Sequence, residues 1–333
     1  MLEPKFEEFL SILKNKKIVI TTHDLTDLDG FISCYTLNYL LNLVVKTHKN
    51  VICFPKISKP TKNFIKKFSD RFPELNFNLN RKTDFSKFDI CLVLDTSNLN
   101  QILFKKELEV TKIPFIFIDH HFMNKKTVIG NLTSLNLIYE DYSSTTEIVL
   151  ELFKVFKVEL STPLKILMIA AILTDSGFFK YGDNRTIKNV SRLLDNEINF
   201  QEIQSFLNYD IDISEKIAKI KGMQRVILLR EGEYLIGITN VSSYGASVAS
   251  MLIRNGFDIT FAYSKEKNVY KINTRAKNTV CLKTGLHLGK ILEEISYEHK
   301  GNGGGHNGAA SLTCHAESSD IINKILEKVK QYL

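Results

Sequence analysis

Between residue 5 and about 200, short apolar runs alternate with stretches whose apolar residues recur at helical spacing. Lys17-Ile-Val-Ile-Thr-Thr22 is β-branched and apolar, which predicts a buried strand. A helix is expected from about 28 to 44, with Phe31, Tyr35, Leu37, Leu40 and Leu41 on its apolar side. Val51-Ile-Cys-Phe54 reads as the next strand and is followed by a basic helical stretch near 60–70. Strand 89–94, helix 99–108 and strand 113–118 continue the alternation, and helices dominate from there to about 222. Ser143-Ser-Thr-Thr146 opens one of them, with Glu147 placed for N-terminal capping. This order predicts an α/β fold with a doubly wound, mainly parallel sheet.

The texture then changes. Arg225–Arg230 and Tyr234–Thr239 flank Glu231-Gly-Glu233 and predict a hairpin. Asp258–Tyr263 and Asn268–Arg275 predict a second, across Ser264–Lys267. Helices near 245–255, 286–297 and 318–331 complete a smaller α+β domain. The expected organisation is a first domain over 1–205, a linker helix over 206–224 and a second domain over 225–333. Lys300-Gly-Asn-Gly-Gly-Gly-His306-Asn-Gly308 reads as a glycine-rich loop.

Composition narrows the class. A chain of 333 residues fits two domains, and 44% hydrophobic with 24% charged residues is ordinary for a globular protein. The first residues are charged and lack the apolar core of a signal peptide, and no apolar run approaches the roughly 20 residues of a membrane span. Five cysteines without paired spacing predict buried reduced thiols and a cytoplasmic protein, and offer no thiolate zinc site. The net charge of +7 favours an anionic partner only weakly, since lysine-rich faces are commonly just solvated.

The informative feature is what stands at the ends of the apolar elements. The strand at 17–22 delivers His23, Asp27 and Asp29; the strand at 89–94 delivers Asp95; the strand at 113–118 delivers Asp119-His120-His121. The apolar helical stretch Leu164–Leu173 ends at Asp175. In an open α/β sheet the carboxyl ends of the strands share one edge, where ligands bind. Asp27 alone would pass for a helix cap and a lone strand-end histidine for a structural residue, but the set together points to metal. Carboxylates and imidazoles without thiolate suit Mn²⁺, Fe²⁺, Co²⁺ or hydrated Mg²⁺. Six ligands are too many for one catalytic ion with open positions, so two ions roughly 3.5–4 Å apart are expected.

The series His23-x3-Asp27-x-Asp29, Asp95, Asp119-His120-His121 and Asp175 resembles the four motifs of the DHH phosphoesterase superfamily. Gly303-Gly-Gly-His306 resembles the signature of its DHHA1 subfamily, so the resemblance spans nearly the whole chain. It implies one ion held by His23, Asp27 and Asp95, and a second held by Asp29, Asp95, His120 and Asp175. Asp119 would orient a histidine and His121 would face the substrate phosphate, as the catalytic pair. Arg275, at a strand end, resembles the basic residue that grips phosphate in DHHA1 proteins, and Gly304, Gly305 and His306 would complete the substrate site. Ser144 and Thr145 read as helix caps near that site. The first motif departs in detail: many members read Asn-Pro-Asp-Gly-Asp-Ala where this chain has Leu25-Thr-Asp-Leu-Asp-Gly30.

The resemblance implies a manganese-dependent hydrolase with two divalent ions, acting on short nucleotides or oligonucleotides without a membrane partner, and compatible with a homodimer. At 333 residues the chain leaves no room for the added nucleic-acid-binding domain of long-strand exonucleases, so short substrates are favoured. The alternatives are a single-strand exonuclease and a noncatalytic single-strand-binding replication or repair partner.

Overall fold

A computed structural model describes residues 3–45, 49–77, 80–121, 135–208, 211–299, 301–315 and 320–333. The chain divides into two compact units, residues 1–209 and 210–333.

The first unit runs α1 (Glu3–Leu13), β1 (Lys17–Thr22), α2 (Leu28–Val44), β2 (Lys49–Ile52), α3 (Lys59–Arg71), β3 (Ile90–Leu94), α4 (Lys105–Thr111), β4 (Phe115–Asp119), β5 (Leu137–Ile138), α5 (Thr145–Val155), α6 (Thr162–Asp175), α7 (Asn184–Leu193) and α8 (Phe200–Leu207). Its five strands are parallel in the order β2-β1-β3-β4-β5. Strand side chains alternate between the two faces. Ile18, Ile20, Leu92, Leu94, Ile116 and Ile118 enter a large core together with α2, α5 and α6. Val19, Cys91, Val93 and Phe117 face the opposite side, against Ile102, Phe104 and Leu108. Both faces are covered, as a doubly wound sheet requires. The chain turns one way from β1 to β2 and the other way to β3, so the switch point lies between β1 and β3, where such folds hold their ligands.

Two elements of the first unit differ from expectation. The strand expected at 51–54 lies at Lys49–Ile52. The helix expected over 99–108 is a single 3₁₀ turn at Leu99–Gln101, followed by α4 from Lys105. The physical reason is that the Gln101 carbonyl accepts the Asp24 amide at 2.7 Å. It is thereby committed to the loop after β1.

The second unit runs α9 (Ile213–Gln224), β6 (Ile227–Glu231), β7 (Tyr234–Asn240), α10 (Gly245–Arg254), β8 (Ile259–Glu266), β9 (Val269–Ala276), α11 (Asn278–Thr284), α12 (Leu288–Glu298), β10 (Asn302–Gly305), β11 (Ala309–His315) and α13 (Asp320–Lys330). Its mixed sheet has the order β10-β11-β9-β8-β7-β6. The segment read as a linker helix contains α9, which groups with this unit; residues 209–210 within that segment lie outside the described residues.

The glycine-rich run is not a loop. Asn302–Gly305 forms the edge strand β10, antiparallel to β11; Lys300 and residues 316–319 lie outside the described residues. A Cβ at Gly303 would stand 2.3 Å from the Leu292 carbonyl oxygen of α12. One at Gly305 would stand 2.4 Å from the Ala309 carbonyl oxygen, and φ there is +142°. These glycines let an edge strand lie flat against a helix, which any side chain would prevent.

Candidate metal centre and substrate residues

The carboxyl ends of β1, β3 and β4 deliver His23, Asp95 and Asp119-His120-His121 to one sheet edge, and α6 brings Asp175 to the same place. Asp27 caps α2 by accepting the Gly30 amide at 3.0 Å, and Asp29 follows in its first turn. Among the described residues, His23, Asp27 and Asp95 gather within reach of one ion, and Asp29, His120 and Asp175 within reach of another. Asp95 stands between them: Oδ2 lies 3.5 Å from His23 Nε2, and Oδ1 lies 3.6 Å from His120 Nε2. Each oxygen of one carboxylate thus faces a different group.

The polar atoms left without partners fit such ions. Buried Asp119 Oδ2, His120 Nε2 and Asp175 Oδ2 have no hydrogen bond among the described residues. His120 Nε2 and Asp175 Oδ2 lie 3.0 Å apart but out of hydrogen-bond alignment. Buried groups of this kind are costly unless something satisfies them. The other His120 ring nitrogen lies 3.3 Å from the Tyr142 carbonyl, the arrangement that fixes a metal-binding imidazole with Nε2 forward.

The electrostatics of the group agree with this. Burial, reinforced by Asp175, pushes Asp29 up to about 7. Burial and then the charge of Asp29 push Asp95 well above the carboxylate range. Burial alone would lower His120, but Asp175 and Asp29 outweigh it and raise it to about 9. These directions mark a group short of positive charge, which bound ions would supply.

His121 Nδ1 lies 2.8 Å from Asp119 Oδ1, with Asp119 fully buried and the His121 side chain 56% exposed. This leaves Nε2 directed away from Asp119. His121 Nδ1 is also 3.9 Å from Asp95 Oδ1, and Asp95, Asp119, His120 and His121 form a third group close enough to share an ion. The centre borders two cavities. One of about 490 Å³ is lined by His23, Asp27, Asp95 and His121 with Ser97 and Gln101. The other, about 270 Å³, is lined by Asp27, Asp29 and Asp175 with Ser58 and Phe64.

The sequence reading treated Ser144 and Thr145 as caps and missed what the start of α5 holds. Ser144 does cap, accepting the Glu147 amide at 3.2 Å. The Thr145 amide donates to Asp29 Oδ2 at 2.7 Å and the Thr146 amide to Asp29 Oδ1 at 3.0 Å. The Thr145 hydroxyl donates to Asp95 Oδ1 at 3.0 Å. A helix N-terminus thus grips the Asp29 carboxylate with backbone amides and the Asp95 carboxylate with a side chain. Buried Glu147 braces this turn from behind, accepting from the Ser143 hydroxyl at 2.6 Å and the Asn189 amide at 2.8 Å. The run of hydroxyls was the available signal; their partners lie over a hundred positions earlier for Asp29 and fifty for Asp95. Thr145→Val keeps the shape and removes the donor to Asp95. It is expected to weaken Mn²⁺ binding by roughly 10–100-fold in calorimetric titration, with Thr145→Ser restoring most of the loss.

Gly30, where many superfamily members have alanine, also has a local cause. A Cβ there would lie 2.6 Å from Thr22 Oγ1 and 3.1 Å from Asp95 Oδ2. The Thr22 hydroxyl fills the space an alanine methyl would need, and glycine accommodates it.

In the second unit, Arg275 pairs in register with Ala309 at the start of β11, and the His306 amide donates to the Ala309 carbonyl at 2.8 Å. Arg275 and His306 therefore share one end of that sheet. Exposed His306 sits in the turn between β10 and β11, Gly304 has open space beside it but a φ of +156°, and Gly305 is packed as described. Arg275 lines a separate cavity against α10 together with Lys219 and Arg254.

A parallel doubly wound sheet with a cluster of carboxylates and imidazoles at its switch point defines a metal-dependent hydrolase. The chain belongs to the DHH family and carries its companion DHHA1 domain: the DHH family N-terminal domain matches residues 17–173 and the DHHA1 domain residues 238–333. An uncharacterized protein of Methanocaldococcus jannaschii is 28% identical over 322 residues, covering 97% of this chain and 94% of its own. The fold resembles that of an exopolyphosphatase-related protein from Bacteroides fragilis, with a TM-score of 0.69, 16% identity, and coverage of 98% of this chain and 97% of that one. It also resembles CDC45 from Entamoeba histolytica, with a TM-score of 0.50, 10% identity and 99% of each chain covered. No described helix is long and apolar enough to cross a membrane.

Proposed function

We propose that this protein is a phosphodiesterase that hydrolyses short nucleotide substrates, namely cyclic di-AMP, linear dinucleotides and RNA of a few nucleotides, using two divalent ions with manganese preferred. The supporting observation is Asp95, whose two oxygens face the His23–Asp27 and Asp29–His120–Asp175 groups. Bound divalent ions supply Lewis acidity and an acidified water for attack at phosphorus. The chain's own groups do the rest. Asp119 holds the His121 ring by its Nδ1, so that Nε2 can donate to a phosphoryl oxygen as charge develops there. The α5 amides keep Asp29 in place without further reorganisation.

Arg275 and His306 would contact the part of the substrate away from the scissile phosphate. Arg275→Ala and His306→Ala are therefore expected to raise KM for a dinucleotide much more than they slow hydrolysis of bis-p-nitrophenyl phosphate, which lacks that part. Equal losses on both substrates would remove these residues from the substrate site. The function is tested by a manganese-supplemented panel of cyclic di-AMP, pApA, RNA of two to twenty-four nucleotides, single-stranded DNA and 3′-phosphoadenosine phosphate. Turnover should be fastest on the shortest diesters. Equal, processive rates on two-mers and twenty-four-mers would favour the exonuclease reading, and no turnover of any of them would favour a noncatalytic single-strand binder.

A further inference from the structure

Helix α7 supplies none of the candidate ion ligands, yet three of its residues hold the segment 141–147 against which those ligands rest. Arg185 donates from Nη1 to Asp141 Oδ2 at 2.9 Å and from Nη2 to the Asp141 carbonyl. Its guanidinium lies 3.8 Å from the centre of the Tyr142 ring, which is buried. A lone surface ion pair would fix little, but two donors and a stacked ring define one geometry. The Thr186 hydroxyl donates to the Ser143 hydroxyl at 3.0 Å. The Asn189 amide donates to Glu147 Oε1 at 2.8 Å, while its carbonyl oxygen accepts from Lys154 Nζ at 2.7 Å. Thr186, Asn189 and Glu147 are all buried, so water cannot readily replace these bonds.

The residues so held bear on one of the two ligand groups. The Tyr142 carbonyl lies 3.3 Å from His120 Nδ1. Ser143 donates its amide and its hydroxyl to Glu147 Oε2 at 3.1 and 2.6 Å, which fixes the turn where α5 begins. The Thr145 and Thr146 amides of that turn hold Asp29. Helix α7 thus reaches His120 through Arg185 and Tyr142, and Asp29 through Asn189, Glu147 and the start of α5. Asp29 and His120 belong with Asp175 to one candidate ion group. Among the described residues, no hydrogen bond joins residues 141–147 to His23 or Asp27 of the other group, and Asp95, common to both, is reached by the Thr145 hydroxyl. All of these residues lie in the first unit.

We infer that Arg185, Thr186 and Asn189 are positioning residues for the ion that Asp29, His120 and Asp175 would hold, and that they make the two ion sites unequal. This rests on the two-ion reading above and goes beyond it, because it assigns control of one ion to a helix that does not touch it. Without the α7 contacts, the Tyr142 carbonyl no longer fixes the His120 ring with Nε2 forward, and the α5 amides no longer meet Asp29 at a set distance. Ligands oriented in advance bind an ion more tightly than ligands the ion must order. His23 and Asp27, set by β1 and the start of α2, keep their places.

The test is calorimetric titration of the metal-free full-length chain with Mn²⁺, in which the unaltered chain should take up two ions in two steps. Arg185→Met keeps an apolar stem over Tyr142 and removes both donors. It should weaken one step by about 10–100-fold and leave the other within about twofold, with Arg185→Lys recovering part of the loss. The Asp141 side chain is 69% exposed, so Asp141→Ala should fold, as thermal melts in chelator check. It should show the same one-sided loss, smaller because the Asp141 carbonyl still accepts from Arg185. Asp27→Asn spares the Asp29–His120–Asp175 group, so adding Arg185→Met to it should weaken the ion that remains. Added to His120→Ala instead, Arg185→Met should change the remaining ion little. Two steps weakened equally, or neither weakened, in both Arg185→Met and Asp141→Ala overturns the inference while leaving the two-ion reading standing. An unaltered chain that takes up one ion or none overturns both.

Discussion

Asp95→Asn is expected to abolish turnover, lowering kcat by more than about 10³-fold, beyond the 10²–10³ typical of losing one electrostatic donor. Asp95 is the carboxylate that faces both groups, so its loss would disturb both proposed ions at once. Asparagine is the better replacement than alanine because φ at this position is +61°, a left-handed conformation that asparagine tolerates. Its amide oxygen can still accept from Thr145, so the local fold should hold. Burial and the neighbouring Asp29 and Asp27 raise the Asp95 pKa on folding. A carboxylate with a raised folded pKa destabilises the native state above its unfolded pKa, so the neutral variant should be more stable than the parent at pH 7 without metal. Thermal melts in chelator, alongside kcat in Mn²⁺, check both halves. Undiminished activity in this variant is incompatible with a bridging role.

His121→Ala is expected to lose mainly kcat, by about 10²–10³-fold or roughly 3–4 kcal/mol, with metal content unchanged. The side chain is more than half exposed, and Asp119 occupies its Nδ1, so its free nitrogen is available to substrate. His120 differs: it is largely buried, its Nδ1 sits by the Tyr142 carbonyl, and its Nε2 points among carboxylates. The two adjacent histidines therefore divide their work through the partners that orient them. Loss of an ion in His121→Ala would place His121 in the coordination shell instead, through the third ligand group.

Much of the catalytic unit is legible in the sequence because its signals are local. Strands buried on both faces read as unbroken apolar runs, and the ligands follow directly at their carboxyl ends, as at Thr22–His23 and Leu94–Asp95. The less legible parts depend on contacts distant in sequence. Gly303 and Gly305 carry no periodicity and have low strand propensity, so β10 looks like a loop until α12 and β11 are placed beside it. Glu147 reads as a capping residue, but its carboxylate reaches Ser143 and Asn189, tying α7 to the start of α5. The 3₁₀ turn at Leu99–Gln101 replaces a regular helix because Asp24, far earlier in the chain, takes the Gln101 carbonyl.

The central claim is that two ions share one bridging carboxylate at the switch point of the first sheet. Its most direct test is the metal content of the full-length chain and of Asp95→Asn at saturating Mn²⁺, measured by equilibrium dialysis and elemental analysis. Two ions per chain, falling to one or none in Asp95→Asn, is the predicted result, since His23–Asp27–Asp95 and Asp29–His120–Asp175 each gather close enough to hold an ion. A single ion per unaltered chain, or two ions retained with undiminished affinity in Asp95→Asn, would contradict it.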